Sequence, residues 1–136
     1  MATMQCEIMT PEGPAFSGEA EMIVVPGTDG QLGVLPRHQP IVAHLDSGEI
    51  RVRISSSEWR SFATSDGYFS MQGNRALVLV EGAVPTEAID LVAAQALVDD
   101  ARARVALAEG GDESVNLFRA QRDLQYAENQ VRIASR

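Results

Sequence analysis

The sequence predicts a β domain followed by a two-helix hairpin, and three observations lead to this prediction. Apolar residues recur with a period of two in several segments between residue 1 and about residue 84. From residue 85 onward they recur with heptad spacing instead. The pair Gly110-Gly111 divides this helical part into two halves. We therefore predict a β-sandwich or barrel in residues 1–84 and an antiparallel helical hairpin in residues 85–136.

The period of two is clearest in the middle of the β part. Ile50, Val52 and Ile54 alternate with Arg51 and Arg53. Successive side chains of a strand point to opposite faces of its sheet. We therefore expect the three aliphatic side chains in the core and both Arg side chains in water.

Other strands are predicted from short apolar runs and from the turn signals between them. The runs at residues 20–25 and 76–80 are continuously apolar or nearly so, which favours more deeply buried strands. Turn-forming segments rich in Gly, Pro, Asp and Asn lie at residues 10–13, 26–30, 46–48, 65–67 and 72–74. Short strands at this spacing are typical of an all-β domain.

The helical hairpin is predicted from two matching heptads. Thr86 is the expected N-cap of the first helix, and the second helix is expected to begin near Glu113 or Ser114. The predicted core positions alternate a larger residue with Ala: Leu91, Ala94, Val98, Ala101, Val105 and Ala108, then Leu117, Ala120, Leu124, Ala127, Val131 and Ala134. Because Ala buries little apolar area, we expect a marginally stable hairpin that can open. The alternative is an ordinary hairpin that stays closed.

Charge separates the two helical halves. Residues 86–113 contain seven acidic residues and two Arg, a net charge of −5, whereas residues 114–136 contain four Arg and two acidic residues, a net charge of +2. One interpretation is simple complementarity between the two helices, which contributes little per exposed pair. The other is that Arg119, Arg122 and Arg132 suit an acidic partner, and that the first helix takes its place in the closed hairpin.

Composition excludes several classes of protein. The net charge of −8 does not suit a general nucleic-acid binder or direct adhesion to an anionic lipid surface. All 11 basic residues are Arg, which excludes Lys-dependent chemistry. No apolar run approaches the roughly 20 residues that span a bilayer, so we expect no direct membrane insertion. Cys6 is the only cysteine and is interpreted as a small core residue.

The sequence shows no catalytic or metal-binding pattern. His38 and His44 are the only histidines, and their spacing fits no standard metal motif. The glycines at positions 27, 30 and 33 resemble a phosphate loop only loosely, because no helical pattern follows them, and turns explain them better. We predict no catalytic residue, no bound metal and no cofactor. These residues alone indicate an acidic interaction module.

A long motif makes the expectation more specific. Residues 25–40 read Val-Pro-Gly-x-x-Gly-x-Leu-Gly-Val-Leu-Pro-x-His-x-Pro, after Thr-Pro-Glu-Gly at residues 10–13 and Phe-Ser-Gly-Glu at residues 16–19. Asp-Gly-Tyr at residues 66–68 and Glu-Gly-Ala at residues 81–83 continue the pattern. With the Ala-rich hairpin, this resembles the epsilon subunit of bacterial F-type ATP synthases over essentially the whole chain.

The resemblance implies a fold, a role and a set of partners. The fold is a flattened β-sandwich of about ten strands followed by two antiparallel helices. The role is that of a non-catalytic central-stalk subunit of a proton-translocating ATP synthase, peripheral at the cytoplasmic face of the bacterial plasma membrane. It implies contact with the gamma subunit and the c-ring, transient contact with the alpha and beta subunits, and regulation of hydrolysis through the helices. The implied contact residues are Asp29, Gln31 and Leu32 toward the ring, and Arg37 and His38 toward gamma.

The chain departs from its relatives at two positions. Many relatives carry a carboxylate where this chain has Gln31. Members that bind ATP carry Ile/Leu-Asp-x-x-Arg-Ala at the start of the first helix, and here Ile89 and Asp90 are followed by Ala93 in place of the Arg. We therefore expect weak ATP binding or none. The alternatives from other classes are a free-standing β-sandwich that binds a small ligand such as a carbohydrate, and a nucleotide sensor that acts alone.

Overall fold

The computed structural model describes residues 2–136 as ten strands followed by two helices. The strands are β1 (Met4–Thr10), β2 (Gly13–Ala20), β3 (Met22–Gly27), β4 (Gly30–Val34), β5 (Ile41–Leu45), β6 (Gly48–Ser55), β7 (Glu58–Thr64), β8 (Gly67–Gln72), β9 (Arg75–Val80) and β10 (Ala83–Pro85). The helices are α1 (Leu91–Glu109) and α2 (Leu117–Ala134), and a one-turn 3₁₀ helix, Thr86–Ala88, precedes α1.

The ten strands belong to one continuous sheet that curls over on itself. The strand order is β10-β7-β6-β3-β5-β8-β9-β1-β2, and β4 pairs with β3 outside this path. The β1–β9 pair is parallel. Phe16 of β2 and Phe62 of β7 meet edge to face, with ring centroids 6.1 Å apart, although their strands lie near opposite ends of this order. The sheet therefore forms two layers around one core, and the predicted sandwich of about ten strands followed by two helices is confirmed.

Strand β6 shows the predicted alternation. Ile50 and Val52 are fully buried, and Ile54 is partly buried against the same core. Arg51 and Arg53 point outward, where their guanidinium carbons lie 5.7 and 5.9 Å from the centroid of the Trp59 ring. The predicted register of this strand is confirmed.

Strand β9 corrects one expectation. The apolar run at residues 76–80 predicts a deeply buried strand, but only Ala76, Val78 and Val80 are buried. Leu77 is partly buried and Leu79 is half-exposed. The strand therefore alternates like the others, and its outer face carries apolar residues into solvent.

Both helices begin later than the sequence pattern predicted. Thr86 starts the 3₁₀ turn instead of capping α1; Asp90 caps α1, its Oδ1 accepting a hydrogen bond from the amide of Ala93 at 3.1 Å. Helix α2 starts at Leu117, because Asn116 is its N-cap. The preceding residues instead form a turn in which Asp112 Oδ1 accepts from the Ser114 amide at 2.9 Å.

The heptad positions pack as predicted in the middle of the hairpin and are more exposed at both of its ends. The buried residues of α1 are Ala94, Val98 and Ala101, whereas Leu91 is exposed. In α2, Ala120 and Ala127 are buried, and Leu117 is exposed. Helix α2 also buries a second face that the heptad did not predict, which consists of Asn129, Gln130 and Ile133. This face lies toward the sandwich, where α2 contacts β6 and β7.

Candidate interaction surfaces

The β3–β4 hairpin presents the first predicted contact segment. Its turn lies at Thr28 and Asp29, and Gly30 follows with φ +126°, a conformation that favours glycine. The Thr28 amide donates to the carbonyl oxygen of His44 at 3.1 Å, which fixes the base of the turn on β5. Asp29 and Gln31 are exposed, whereas Leu32 is partly buried against the core. The tip therefore offers one carboxylate and one amide to a partner, and Leu32 anchors it.

The second predicted contact segment is the loop between β4 and β5. Arg37 has φ 65°, and its amide donates to Asn74 Oδ1 at 2.8 Å. Asn74 Nδ2 in turn donates to the carbonyl oxygen of Thr3 at 3.0 Å. The loop is thereby tied to the β8–β9 turn and, through Asn74, to the residue that precedes β1. Within residues 2–136, no acidic side chain forms an ion pair with Arg37, so its charge is free for a partner.

The motif at residues 25–40 predicts a single exposed loop from Asp29 to His38, but the two segments do not form one loop. Residues 30–34 form strand β4, and Val34 is fully buried. Asp29 lies before this strand and His38 lies beyond it, about 15 Å of strand apart. The structure thus separates the predicted ring contacts from the predicted gamma contacts.

The outer face of the sheet formed by β5, β8, β9 and β1 is apolar at one end. Strand pairing aligns His44, Tyr68, Leu79 and Met9 in one row across these four strands. Met9, Tyr68 and Leu79 of this row, together with Leu77, line a groove of about 620 Å³. This surface was not predicted from the sequence. The available signal was the apolar residues at outward positions of β9, which were assigned to the interior.

The Arg side chains of α2 pair with the sandwich rather than with α1. Arg119 lies 2.8 Å from Glu81, and Arg122 lies 3.0 Å from Asp66. Arg132 donates to the side-chain oxygen of Asn129. Glu81 raises the pKa of Arg119 above its ordinary value through a side-chain hydrogen bond. Arg119 and Arg122 are therefore held at the interface between helix and sandwich, whereas Arg132 bonds within its own helix.

Ion pairs between the two helices have the opposite polarity from the one expected. Arg104 of α1 lies 3.0 Å from Asp123 of α2, and Arg102 of α1 lies 3.4 Å from Glu128 of α2. Within the described part of the chain, no Arg of α2 pairs with an acidic residue of α1. Both interpretations of the charge pattern assumed such pairs, and this assumption was wrong. The acidic groups that hold α2 are on the sandwich.

Tyr126 of α2 packs closely against Gly82, which lies between β9 and β10. A Cβ placed on Gly82 would lie 2.6 Å from Tyr126 Cε2, so this position tolerates no larger residue while the helix is docked. Burial, the main cause, raises the pKa of Tyr126 to about 12. This contact was not predicted from the sequence.

The degenerate nucleotide motif lies at the start of α1. Ile89 is partly buried, Asp90 is the N-cap, and Ala93 is exposed on the first turn. The Asp90 carboxylate is therefore already engaged by the helix, and no cation stands at the position of the missing Arg. Among residues 2–136, no three His, Cys, Asp or Glu side chains are placed to hold a metal ion. None of the helices described is long and apolar enough to cross a membrane.

Comparison with known proteins identifies the family. Residues 3–86 match the model of the ATP synthase delta/epsilon chain β-sandwich domain. The chain belongs to the ATP synthase delta/epsilon family. It is 33% identical over 129 residues to the ATP synthase epsilon chain of Prochlorococcus marinus strain MIT 9313, covering 95% of this chain and 96% of that one. It is 35% identical over 136 residues to the epsilon chain of Xanthomonas campestris pv. campestris strain B100, covering 100% and 95%.

A solved structure shares the fold. A chain in the cryo-EM structure of the Euglena gracilis mitochondrial ATP synthase, comprising OSCP, F1 and the c-ring, superposes with a TM-score of 0.72 at 21% identity. The match covers 95% of this chain and 79% of that chain. This match shows the fold over sandwich and hairpin alike. The epsilon chains matched along the full length confirm the family prediction.

Proposed function

We propose that this chain is the non-catalytic epsilon subunit of the central stalk of a proton-translocating F-type ATP synthase. The observation that supports this most is similarity to epsilon chains along the full length, hairpin included. In this role the subunit couples gamma to the c-ring. It is peripheral at the cytoplasmic face of the bacterial plasma membrane. Residues 1–84 form the coupling unit and residues 85–136 the regulatory unit.

The tip of the β3–β4 hairpin is the contact for the c-ring. Asp29 and Gln31 project from a turn that is fixed at its base by the backbone of β5. A preformed tip loses little conformational entropy on docking, so its few polar contacts contribute fully to binding. Because Gln31 is neutral, its own part of this contact is a hydrogen bond rather than an ion pair, whereas Asp29 supplies a carboxylate.

The outer face of the sheet, together with the loop of Arg37 and His38, is the contact for gamma. Tyr68 and Leu79 present aromatic and aliphatic area in the groove, which is the type of residue that dominates binding energy at protein interfaces. The loop is tied to the turn that begins β9, the strand that also carries Leu79. An apolar centre with a basic rim at Arg37 suits a stable protein interface.

The C-terminal hairpin regulates hydrolysis through its Arg residues. In the closed form, sandwich carboxylates hold Arg119 and Arg122. If the hairpin leaves the sandwich, these guanidinium groups lose their partners and become available to acidic segments of the alpha and beta subunits. Arg132 moves with the same helix. The sandwich thus competes with the catalytic head for one set of cations.

Site-directed cross-linking in the assembled enzyme tests these contacts. Single cysteines replace Gln31, Leu79 or Ser61 in a Cys6→Ala background, and a tag on this chain recovers the complex from solubilised membranes. We expect Gln31→Cys to cross-link to a c subunit and Leu79→Cys to cross-link to gamma. Ser61→Cys, on the opposite layer, is the control that should form neither product. Recovery of the chain without gamma would contradict the proposed role, and exchanged cross-link products would contradict the assignment of surfaces.

A further inference from the structure

Helix α1 carries a second apolar face that nothing covers in the described chain. Its buried side, at Ala94, Val98 and Ala101, faces α2. On the opposite side of the helix, steps of four, seven and four residues align a set of exposed apolar side chains. We call this set the outer seam of α1: Val92, Ala96, Ala103 and Leu107.

The outer seam exposes large side chains, not only alanines. Val92 is 77% exposed and Leu107 is 52% exposed. Single exposed apolar residues are common on protein surfaces. Alignment at positions i, i+4, i+11 and i+15 along about 22 Å of helix is instead the pattern by which one helix packs on another.

The charge around the outer seam restricts what can cover it. Asp99 and Asp100 flank its middle and are exposed, and Glu109 lies at its end. The only cations of α1 are Arg102 and Arg104; each forms an ion pair with an acidic residue of α2, and Arg104 also pairs with Asp100 at 3.1 Å. The border of the seam is therefore acidic and lacks an uncommitted cation within the described chain.

This charge disfavours two occupants. A bilayer surface with anionic headgroups would repel Asp99 and Asp100. A second copy of this chain, paired seam to seam, would bring the same carboxylates together, and like charges across an interface disfavour association. A cationic partner with an apolar face would gain apolar contacts from the seam and ion pairs from its acidic border.

We infer that the outer seam of α1 docks a basic amphipathic helix of another protein. The apolar residues of that helix would lie on Val92, Ala96, Ala103 and Leu107, and its Arg or Lys side chains would reach Asp99 and Asp100. This surface lies on the side of the hairpin opposite the α1–α2 contact, so docking does not require the closed hairpin to open. The inference does not rest on the proposed role in the stalk.

Nuclear magnetic resonance titration of the isotopically labelled full-length chain tests the inference. The probe is a synthetic peptide of about 22 residues with a Leu heptad seam flanked by Arg. Two further peptides are a charge-reversed twin with Glu and a scrambled peptide of the same Arg and Leu composition. We expect the Arg peptide to shift amide signals of residues 92–107. We expect the other two to bind at least about 10-fold more weakly, since they lack the matching charge or the apolar face.

Surface variants complete the test. The double variant Val92→Gln/Leu107→Gln should weaken binding of the Arg peptide about 10-fold, whereas Val42→Gln, at a 75% exposed position on the sheet, should leave it unchanged. Equal thermal unfolding of the variants confirms intact folding. Equal binding of the scrambled peptide, shifts centred on the groove of Tyr68, or unchanged binding of the double variant would each overturn the inference. Recovery of gamma with the tagged double variant is a separate readout. Loss of gamma would count against the proposed role in the stalk and not against docking of a helix on the outer seam.

Discussion

The side-chain amide of Asn129 donates a hydrogen bond to the carbonyl oxygen of Gly48 at 2.8 Å, which ties α2 to the first residue of β6. The same amide donates to the carbonyl oxygen of Thr64 at the end of β7, at 3.2 Å. Asn129 is almost fully buried, and the polar Gln130 is buried beside it. A buried amide that loses its partners is costly. The docked position of α2 is therefore specified by hydrogen bonds as well as by apolar packing.

The first prediction concerns this amide. Asn129→Leu removes both donors and leaves the Gly48 carbonyl without its helix partner, while the Ser47 hydroxyl still donates to the Thr64 carbonyl at 2.9 Å. We expect a loss of about 1–3 kcal/mol in the free energy of unfolding. Denaturant unfolding and hydrogen exchange in residues 117–134 measure the effect. Gln125→Leu, at an exposed position of α2, is the control. Equal stability of the two variants would show that the amide does not hold the helix.

The second prediction concerns the contact between Gly82 and Tyr126. Gly82→Ala places a methyl group within 2.6–2.8 Å of the Tyr126 ring and hydroxyl. We expect overpacking to weaken docking of α2 by about 1–3 kcal/mol, as measured by hydrogen exchange of that helix. Gly18→Ala is the matched control, because its methyl group would meet the nearest atom, Phe16 Cζ, at an ordinary 3.6 Å.

A double variant tests whether Tyr126 is the cause. Adding Tyr126→Leu to Gly82→Ala removes the ring atoms that clash, so part of the lost docking should return. The two substitutions should therefore be non-additive, as expected for residues in contact. Strict additivity would mean that Gly82→Ala acts through the backbone of the turn before β10.

Comparison of these contacts with the sequence shows which features are encoded locally. Alternation fixed the register of β6, since Ile50 and Val52 can reach the core from only one face of the strand. Heptad spacing likewise identified Ala101 and Ala127 as buried hairpin positions. Both patterns depend on the geometry of a single element. The long motif at residues 25–40 supplied the family, which no periodicity could supply.

Features that depend on contacts between distant segments were not predictable in this way. Asn129 has the sequence character of an exposed helical residue, and its burial follows from carbonyl groups 65 and 81 residues earlier in the chain. The ion pairs of Arg119 with Glu81 and of Arg122 with Asp66 likewise join segments that are distant in the sequence. The late start of α2 results from a local hydrogen bond that the heptad pattern does not reveal. Asp112 Oδ1 accepts from the Ser114 amide and favours a turn there instead of a helix.

The third prediction concerns the single thiol. Cys6 is fully buried in β1, and burial raises its pKa to about 11. Since the thiolate is the reactive form, we expect no reaction with a disulfide reagent in the folded chain at pH 8, and little more at pH 9. Unfolding in guanidinium should expose one reactive thiol. A chain with Cys6→Ala and Val92→Cys, which carries its thiol at an exposed site, is the control and should react at once. Rapid labelling of native Cys6 would contradict its placement in the core.

The fourth prediction concerns nucleotide. We expect the isolated chain to bind ATP weakly or not at all, because Ala93 lacks the guanidinium group and Asp90 caps α1. Calorimetry with ATP checks this, and micromolar affinity would contradict it. Ala93→Arg restores the motif at an exposed position, and its affinity relative to the natural chain reports the contribution of that one cation. Ala106→Arg adds the same charge elsewhere on α1 and serves as the control.

The last prediction concerns opening of the hairpin. Ala101 and Ala127 are buried at the centre of the helix pair. Replacing both with Leu should overpack the closed form by about 1–3 kcal/mol per site. A closed and an open form that differ by only a few kcal/mol would then shift toward the open one. In the assembled enzyme we expect ATP hydrolysis to fall, because the opened α2 exposes its Arg side chains to the catalytic head. Ala106→Leu, at an exposed position of α1, should leave hydrolysis unchanged.

A disulfide engineered between α1 and α2 in a Cys6→Ala background is the converse experiment. It should hold the hairpin closed and raise hydrolysis, and reduction should reverse the effect in the same sample. The rate of ATP hydrolysis should therefore be lower than the parent's in the overpacked enzyme and higher in the cross-linked enzyme. If hydrolysis is the same in both, the hairpin stays closed throughout turnover. The subunit would then act only through its sandwich, whose surfaces at Gln31 and Leu79 are tested independently by cross-linking.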